Sequence, residues 1–406
     1  MREKGLRPLF LFIGAVSRAC GYPVYRASSR SRFGPNPVDT PIASRDESLS
    51  WLRLTLVPGV TLSAQHRLLR AFGTPARALE APHAALAAVA GEENATLLAR
   101  GPDRRLVERS LRWLEESGHA LLTFHDAAYP DTLRNIPCPP TTLYLRGDPQ
   151  WLSRPSIAIV GSRNATAQGL RDAHAFAAAL SEAGLTVVSG LALGIDAAAH
   201  RGGLTARGSS VAVMGTGADI VYPRRNDSLA MEIAAKGCLV TEFPLGIASL
   251  PGNFPRRNRL ISGLAKGVLV VEAALKSGSL ITAQCACEQD REVFAIPASI
   301  HSPHSKGCHR LIKEGAKLVE CAEDILEDLG WGASRSGAQP VLAEAPEADP
   351  ILEAMGRSPV SIDQMAARTG LAAAKLAAHL SLLEIDGRVA ALAGGWFQRL
   401  ETRVIE

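Results

Sequence analysis

The spacing of apolar and polar positions changes along the chain, and each change predicts a different architecture. Residues 46–120 carry apolar side chains at helical spacing, interrupted at Pro58, Gly59 and Gly73. Such interruptions predict short helices joined by tight turns. From residue 154 onward, short apolar runs alternate with helical stretches. This alternation predicts a parallel sheet with helices on both faces.

Six apolar runs in the second region are predicted to be buried strands. They are Ile157–Val160, Thr186–Ser189, Val211–Met214, Leu239–Thr241, Val268–Val271 and Val293–Ile296. A further strand, Thr142–Arg146, ends a Pro-rich segment that leads into the sheet. We therefore predict an α/β fold with an extended Rossmann-like parallel-sheet domain over residues 121–330, preceded by a helical module over residues 46–120.

The composition changes again after the sheet domain. Residues 331–349 are rich in Gly, Pro, Ala and acidic side chains and are predicted to form a linker. Residues 350–406 contain three helical patterns and a hairpin with two glycines at its turn, which is typical of a winged-helix domain. The third predicted helix offers only Lys375 and His379 for DNA contact, whereas base-reading helices usually present Arg, Lys, Asn or Gln. Protein contact or packing is therefore an alternative to DNA recognition.

The N-terminal segments each allow two interpretations. A helix, a Pro-Gly hairpin and a second helix make residues 46–120 similar to a helix-hairpin-helix or sterile-alpha-motif-like module, and a small bundle without DNA contact is the alternative. Residues 1–45 begin with a charged segment and a short apolar run, similar to a weak secretory signal. Because the rest of the chain has cytosolic character, we expect either a start codon assigned too far upstream or a disordered basic tail.

The cysteine content indicates the cellular compartment, and the distribution of charge indicates where a basic site can lie. The seven cysteines lack framework spacing, so a reduced, cytoplasmic protein is expected. No run reaches the roughly 18 apolar residues of a membrane-spanning helix. The net charge of +4 is more than accounted for by residues 1–45, where eight Lys/Arg face two Asp/Glu, so any basic site must be local. Residues 254–313 provide one, with nine Lys/Arg against four Asp/Glu.

The first predicted strand of the alternating region ends in a sequence suited to phosphate. It reads "IVGSRNATAQG", so Gly161, Ser162 and Arg163 lead from the strand into a helix. Free backbone N–H groups and a helix N-terminus at a strand's carboxyl end form a natural phosphate site. The spacing is not G-x-G-x-x-G, which disfavours NAD and favours a single phosphate held by N–H groups and Arg163. An ordinary strand-to-helix turn would explain the glycine but not the arginine.

Two further groups invite a catalytic or metal interpretation. In "SGLALGIDAAAH", Asp196 is suited to cap the next helix, and pairing with His200 is the alternative. No nucleophile in a strained turn accompanies that pair. Cys285 and Cys287 are two residues apart on a predicted helix and point to different faces, so no metal site is expected.

The densest basic segment reads "FPRRNR" over residues 254–259. It and the Gly-rich loops after the strands are expected at the carboxyl edge, where doubly wound sheets bind ligands. One small nucleotide does not need this many phosphate-type loops, whereas a linear polyanion laid across the edge does. Phe254 would either stack on a base or pack in the core. Arg257 is the weakest contact candidate, because a neighbour in an extended segment faces away.

Six motifs now occur in order: "IVGSRNATAQG", "SGLALGIDAAAH", "GTGADIVYPRRN", "TEFPLG", "FPRRNRLISGLAKGVLVVEAALKSGSLITA" and "REVFAIPASIHSPHSKGCHRLIKEGA". Together they closely resemble the DNA-processing protein A family (DprA, also called Smf) over roughly residues 50–400. The resemblance implies a non-enzymatic homodimer without a cofactor. It also implies that the protein binds single-stranded DNA and loads the RecA recombinase onto it during natural transformation.

The same resemblance implies a set of DNA-contacting residues in the loops of one sheet edge. They are Gly161, Ser162, Arg163, Ser189, Gly190, Phe254, Arg256, Asn258, Arg259, Lys276, Ser277, Gly278, Ser279 and Thr282. Asn258 is expected to tie the backbone of its loop together. Ala298 departs from the family pattern, which commonly has Gly there, and residues 1–45 have no counterpart in it.

Two other functions fit parts of the sequence. Related Rossmann-like phosphoribohydrolases act on nucleoside monophosphates through a Pro-Gly-Gly-x-Gly-Thr loop and a nearby Glu. Here the corresponding loop reads "SGSLITA", with Glu272 before it and the Pro-Gly-Gly element missing. The other alternative is a transcription factor that reads duplex DNA with residues 345–406 and senses a ligand with the large domain.

Overall fold

The computed structural model describes residues 44–331, 349–356, 359–392 and 394–400. The predicted extension 1–45 and the predicted linker 331–349 lie almost wholly outside the described residues, so their character stays a prediction. The described chain forms a helical module, a large sheet covered by helices, and a small C-terminal unit.

The helical module contains six short helices that share their core with the sheet. They are α1 Arg45–Thr55, α2 Leu62–Phe72, α3 Pro75–Glu80, α4 His83–Ala90, α5 Glu92–Arg100 and α6 Arg104–Leu114. The side chains of Ser44, Thr61 and Asp103 accept N–H groups in the first turns and so fix three of the starts. Trp51 and Leu68 belong to one buried cluster with sheet residues. The module is therefore packed onto the sheet.

The large sheet has nine strands in the order β1-β2-β6-β5-β4-β3-β7-β8-β9. They are β1 His119–Thr123, β2 Thr142–Gly147, β3 Ser156–Val160, β4 Thr186–Ser189, β5 Ser210–Val213, β6 Cys238–Thr241, β7 Gly267–Val270, β8 Glu292–Ala295 and β9 Lys317–Leu318. The seven predicted strands agree with the observed ones to within one residue at each end. Strands β1 and β9 were not predicted.

The sheet is mixed: its Rossmann-like core is parallel, as predicted, and an antiparallel pair of strands extends it. Strands β3 to β9 run parallel to one another, but β1 pairs antiparallel with β2, and β2 antiparallel with β6. Parallel neighbours need a crossover, usually a helix, across the face of the sheet. Residues 124–141 between β1 and β2 hold only one short helix and return along the same edge, so this pair closes as an antiparallel extension of the Rossmann-like core.

Helices cover both faces of the sheet. They are α7 Asp131–Arg134, α8 Gln150–Ser153, α9 Ala167–Glu182, α10 Ile195–Leu204, α11 Asp227–Lys236, α12 Asn253–Leu264, α13 Ser279–Glu288, α14 Lys306–Lys313 and α15 Ala322–Asp328. Because side chains alternate along a strand, Ile157 and Ile159 pack with α9 and α10, whereas Ala158 and Val160 pack with α12 and α13. Among the helices that the structure describes, none is long and apolar enough to cross a membrane.

The chain order creates a switch point at β3. After β3 the chain fills one side of the sheet with β4, β5 and β6, and then returns to place β7 on the other side of β3. In such sheets a crevice opens outside the carboxyl ends of the strands at the switch point. The loops that hold the predicted phosphate residues meet there.

The C-terminal unit is a winged helix, as predicted. It contains α16 Pro350–Met355, β10 Val360–Ser361, α17 Ile362–Thr369, α18 Ala373–Ile385, β11 Val389–Leu392 and β12 Trp396–Arg399. Its own core includes Leu352, Met365, Leu376 and Leu380. Gly394 has a positive φ of 83° in the turn between β11 and β12, a conformation that favours glycine.

Candidate nucleic-acid interface

The predicted basic segment is a helix rather than an extended loop. Helix α12 begins at Asn253 and carries "FPRRNR" through its first two turns. Successive side chains on a helix point about a hundred degrees apart, so the three arginines of this segment have different surroundings. Arg256 is exposed, Arg259 is partly buried and Arg257 is buried.

Arg257 holds the loops that follow β4 and β5. It is 4% exposed, and its Nη1 donates to the carbonyl oxygen of Gly190 at 2.6 Å and to that of Val213. Burial lowers the pKa of Arg257 to about 10, and the nearby Asp196 carboxylate opposes that shift. The premise that Arg257 faces away in an extended segment was therefore wrong. The side chain points inward from a helix and braces the sheet edge.

Asp196 and His200 stabilise the backbone at this edge and bond to different partners. Oδ2 of Asp196 accepts the N–H groups of Gly190 at 3.1 Å and Ala192 at 3.3 Å. Burial raises the pKa of Asp196, while the charge of Arg257 lowers it. The predicted capping role for Asp196 was wrong in detail, since Gly194 is the N-cap of α10 and Asp196 lies in its first turn.

His200 is a neutral, fully buried imidazole. Nε2 accepts the N–H of Leu191 at 3.2 Å, and Nδ1 lies 2.7 Å from Oγ of Ser210. Because Ser210 donates its own hydroxyl to the carbonyl oxygen of Val187, the Nδ1–H of His200 is the donor to Ser210. Burial lowers the pKa of His200 to about 3. The bond to Nε2 holds Leu191 at a φ of 59°. Both ring nitrogens are thus engaged in hydrogen bonds within the fold.

Glu242, at the end of β6, is the acidic partner of the other two arginines. Its side chain is 2% exposed and accepts from Nε of Arg256 at 3.2 Å and from Nη2 of Arg259 at 2.5 Å. Arg259 is 15% exposed and Arg256 is 52% exposed. Arg256 is therefore the arginine of this pair that stays open to a ligand, while Arg259 is held beneath it. We did not predict this role of Glu242 from the sequence. The available signal was an acidic residue directly after a predicted strand.

Phe254 lies half-buried between charged and aromatic neighbours. The guanidinium carbons of Arg163 and Arg257 are 5.5 and 5.9 Å from the ring centre of Phe254, and the ring of Tyr222 is 5.8 Å away. Gly215 lies against the ring and leaves no room for a side chain. The exposed Tyr222, which was not in the predicted set, joins this surface. We call Arg163, Tyr222, Phe254, Arg256 and Lys276 the edge surface.

The structure brings the other predicted residues to the same edge, with different exposure. Gly161, Ser162, Asn258 and Ser277 are partly exposed, and Gly278 is exposed. Nδ2 of Asn258 donates to the carbonyl oxygen of Gly278 at 3.3 Å. Asn258 therefore ties helix α12 to the loop after β7, whereas we expected it to tie the backbone of its own loop together.

Four predicted residues point inward instead. Ser189, Gly190, Ser279 and Thr282 are buried. The hydroxyl of Ser189 donates to the carbonyl oxygen of Ile159 at 2.6 Å, and Oγ of Ser279 bonds to Oγ of Ser277 at 2.6 Å. The structure places these side chains in the support of the edge and not on its surface.

Glu272 occupies a structural position at the start of α9. Its carboxylate accepts the N–H of Thr166 at 3.0 Å and the hydroxyl of Thr166 at 2.5 Å. A negative charge is stabilised at a helix N-terminus. A side chain on Gly169 would collide with this carboxylate. The carboxylate proposed for phosphoribohydrolase chemistry is thus committed to capping a helix.

The winged helix presents few groups for base recognition. Lys375 is exposed on α18, but Nε2 of His379 lies 3.0 Å from Oδ2 of Asp349. Leu382 and Ile385 on the same helix are largely exposed. Both interpretations of this unit, DNA recognition and protein contact, stay predictions.

The described chain thus combines a Rossmann-like sheet, which bears arginines at its carboxyl edge, with a C-terminal winged helix. Residues 120–330 match the family described as "DNA recombination-mediator protein A", and residues 335–395 match the "DprA winged helix domain". The chain belongs to the DprA/Smf family. The family resemblance seen in the sequence is thereby confirmed.

Relatives support this assignment over most of their length. Protein Smf of Escherichia coli (strain K12) is 42% identical over 305 residues, which cover 72% of this chain and 81% of that protein. DNA processing protein DprA of Streptococcus pneumoniae is 44% identical over 203 residues, or 50% of this chain and 72% of that protein. The X-ray structure of DprA from Streptococcus pneumoniae has a TM-score of 0.62 and 35% identity, covering 69% of this chain and 97% of that one.

We expect Arg257→Met to lower the free energy of unfolding by about 3–5 kcal/mol, because Asp196 would remain as an uncompensated buried charge. Without the guanidinium, the pKa of Asp196 rises further above its unfolded value. The folded state then binds more protons than the unfolded chain, so stability falls as pH rises through that window. The loss should be larger near pH 8 than near pH 5, as measured by urea unfolding followed by tryptophan fluorescence.

The Asp196→Asn/Arg257→Met double variant is the control. It should recover part of the stability that Arg257→Met loses, since the two groups are coupled. A loss that is independent of pH and additive in the double variant would contradict the role assigned to this pair.

Proposed function

We propose that the chain binds single-stranded DNA along the edge surface and acts as a recombination mediator that loads RecA onto the strand during natural transformation. The observation that carries the proposal is the edge surface itself. Arg163, Arg256 and Lys276 stand exposed on three separate segments around the half-buried Phe254. Membership of a family described as a DNA recombination mediator supports a DNA-processing role.

Charges on separate loops suit a strand better than a small molecule. Arginine and lysine contacts to successive phosphates supply affinity without reading sequence. Phe254 and Tyr222 offer aromatic faces beside these charges, and stacking of bases on aromatic rings is tolerant of sequence. A duplex keeps its bases stacked on one another, so the aromatic part of the surface favours a single strand.

The proposed role is binding without catalysis. Two side chains that could serve as acid or base at this edge are already engaged, Glu272 with Thr166 and His200 with Leu191 and Ser210. A strand-binding role uses neither of them. Since DNA and RecA are its proposed partners, we infer a cytoplasmic location.

A homodimer is part of the proposal. Strand β9 ends the sheet, and its Leu318 is exposed next to the exposed Leu275 and Ile300. These side chains line a hollow of about 680 Å3 with a rim that includes Lys306 and Lys313. A contiguous apolar surface at a sheet edge is suited to a two-fold contact with a second copy.

Strand binding is tested with Arg163→Ala and Arg256→Ala in fluorescence anisotropy across a salt series. Each change should weaken binding of an oligothymidylate by about three- to tenfold, the size expected for one exposed charge contact. Each should also reduce the slope of log affinity against log salt by about 0.7, because one phosphate contact is lost. A duplex of the same length should bind more weakly than the strand.

Arg207→Ala is the matched control, since Arg207 is exposed beside the start of β5, at the opposite end of the strands. It should leave affinity and salt slope almost unchanged. Equal affinity for strand and duplex, or no loss in the two edge-surface variants, would overturn the proposal.

RecA loading predicts a kinetic effect. On strands coated with a single-strand-binding protein, the chain should shorten the lag before RecA hydrolyses ATP, because it would expose the strand to RecA nucleation. Arg163→Ala/Arg256→Ala should lengthen that lag again. A lag unaffected by the wild-type chain would exclude this part of the proposal, while leaving strand binding untouched.

Dimerisation is tested by Leu318→Glu in analytical ultracentrifugation. A charge at each copy of the apolar contact should convert the dimer to a monomer, since a buried unpaired carboxylate is costly. Met231→Glu is the control, because Met231 is equally apolar and exposed on α11, away from β9. A monomeric wild-type chain, or a dimer that survives Leu318→Glu, would refute the assigned surface.

A further inference from the structure

Beside the edge surface lies a second, smaller hollow ringed by three arginines. It measures about 360 Å3, and Arg163, Arg201 and Arg225 line it together with Asn164 and Gly194. This size falls within the ~300–1,000 Å3 usual for small-ligand sites. We propose that this arginine hollow binds a phosphomonoester, the terminal phosphate of a DNA strand being the occupant that the adjoining edge surface would deliver. This proposal deepens the strand-binding function and rests on it.

The walls of the hollow come from three segments that are fixed to one another. The N–H of Ile195, at the start of α10, donates to the carbonyl oxygen of Ser162 at 3.1 Å. Gly194 lies so close to the carbonyl oxygens of Ser162 and Arg163 that a side chain there would collide with them. The loop after β3 and the start of α10 are thereby locked together, and Arg163 and Arg201 line the hollow from these two segments.

The third wall is fixed by a buried amide. Asn226 is 2% exposed, and its Nδ2 donates to the carbonyl oxygens of Leu191 at 2.8 Å and Ala192 at 3.2 Å. These bonds hold the turn Arg224–Asn226 against the loop after β4. Arg225 therefore emerges from a fixed backbone at the mouth of the hollow. A preorganised site of this kind loses little entropy when it captures an anion.

Among the described residues, no carboxylate forms an ion pair with these three guanidinium groups, although the buried Asp196 is close enough to Arg163 for the charge of Arg163 to lower the pKa of Asp196. By contrast, Arg256 and Arg259 share one carboxylate, Glu242, and Arg257 lies near Asp196. Three like charges around one concavity repel each other unless an anion lies between them. The charge of the hollow is thus complementary to a strongly negative group, and guanidinium forks match phosphate oxygens.

A terminal phosphate fits this charge better than a backbone phosphate does. A phosphodiester carries one negative charge, whereas a phosphomonoester approaches two at neutral pH, because its second pKa is near 6. Arg163 belongs to both the hollow and the edge surface. A strand that follows the edge surface past Arg163 can end in the hollow. A free nucleoside monophosphate shares the same chemistry, and the experiment separates the two sources.

The test compares one oligothymidylate in three forms, with a 5′-phosphate, with a 3′-phosphate, and with neither, using the full chain. We expect one phosphorylated form to bind about three- to tenfold more tightly than the unphosphorylated strand. Arg201→Gln and Arg225→Gln should abolish this difference and leave the affinity for the unphosphorylated strand nearly unchanged. Arg224→Gln removes the same charge from the neighbouring exposed residue outside the hollow, and should keep the difference.

Thymidine monophosphate, with thymidine as its control, serves as the second probe. Displacement of the phosphorylated strand by the monophosphate alone, lost in Arg201→Gln, would support the site. Monophosphate binding without any effect of a strand's end would assign the hollow to a free nucleotide. Equal affinity for all three strands with no monophosphate binding would overturn the inference, as would a difference that persists in both hollow variants. If no strand binds, the proposed strand-binding function is wrong. The monophosphate assay then still tests whether the hollow binds a phosphate.

Discussion

The carboxyl edge of the sheet depends on one buried charge, the guanidinium of Arg257. A charge removed from water needs hydrogen-bond partners or an opposite charge nearby, and Arg257 has the carbonyl oxygens of Gly190 and Val213, at the ends of β4 and β5, and the carboxylate of Asp196. Meeting that requirement fixes helix α12 against two loops at once. The exposed groups of the edge surface, on α12 and on the segments beside it, therefore stand on a backbone that is already in place.

Most of the strands could be read from the sequence, since buried parallel strands are short continuous apolar runs bounded by turn residues. Strand β9 was missed because it consists of two exposed residues at a sheet edge. Strand β1 was missed because its apolar residues were assigned to the segment that leads into the sheet. The start of α12 was misread for a different reason. The segment was taken as extended, although proline is tolerated in the first turn of a helix, where its missing N–H would have no partner.

The site was predictable in location but not in detail. Residue type and order placed Arg163, Phe254 and Arg256 at one edge. They could not show which hydroxyls face inward, as those of Ser189 and Thr282 do. Nor could charge counting reveal that Glu242, well separated from the arginines in sequence, takes up part of their charge. Exposure and pairing arise from tertiary contacts, which no local pattern encodes.

The helical module would restrict the path of a strand bound as proposed. Its core is continuous with Ala212, Met214 and Leu239 of the sheet. Arg109 of α6 also forms an ion pair with Asp219, in the loop after β5. The module is therefore a fixed wall and not a tethered arm. If a strand binds along the edge surface as proposed, one that runs off the edge beside Asp219 would meet this wall at a fixed position, so the fold would set its exit direction.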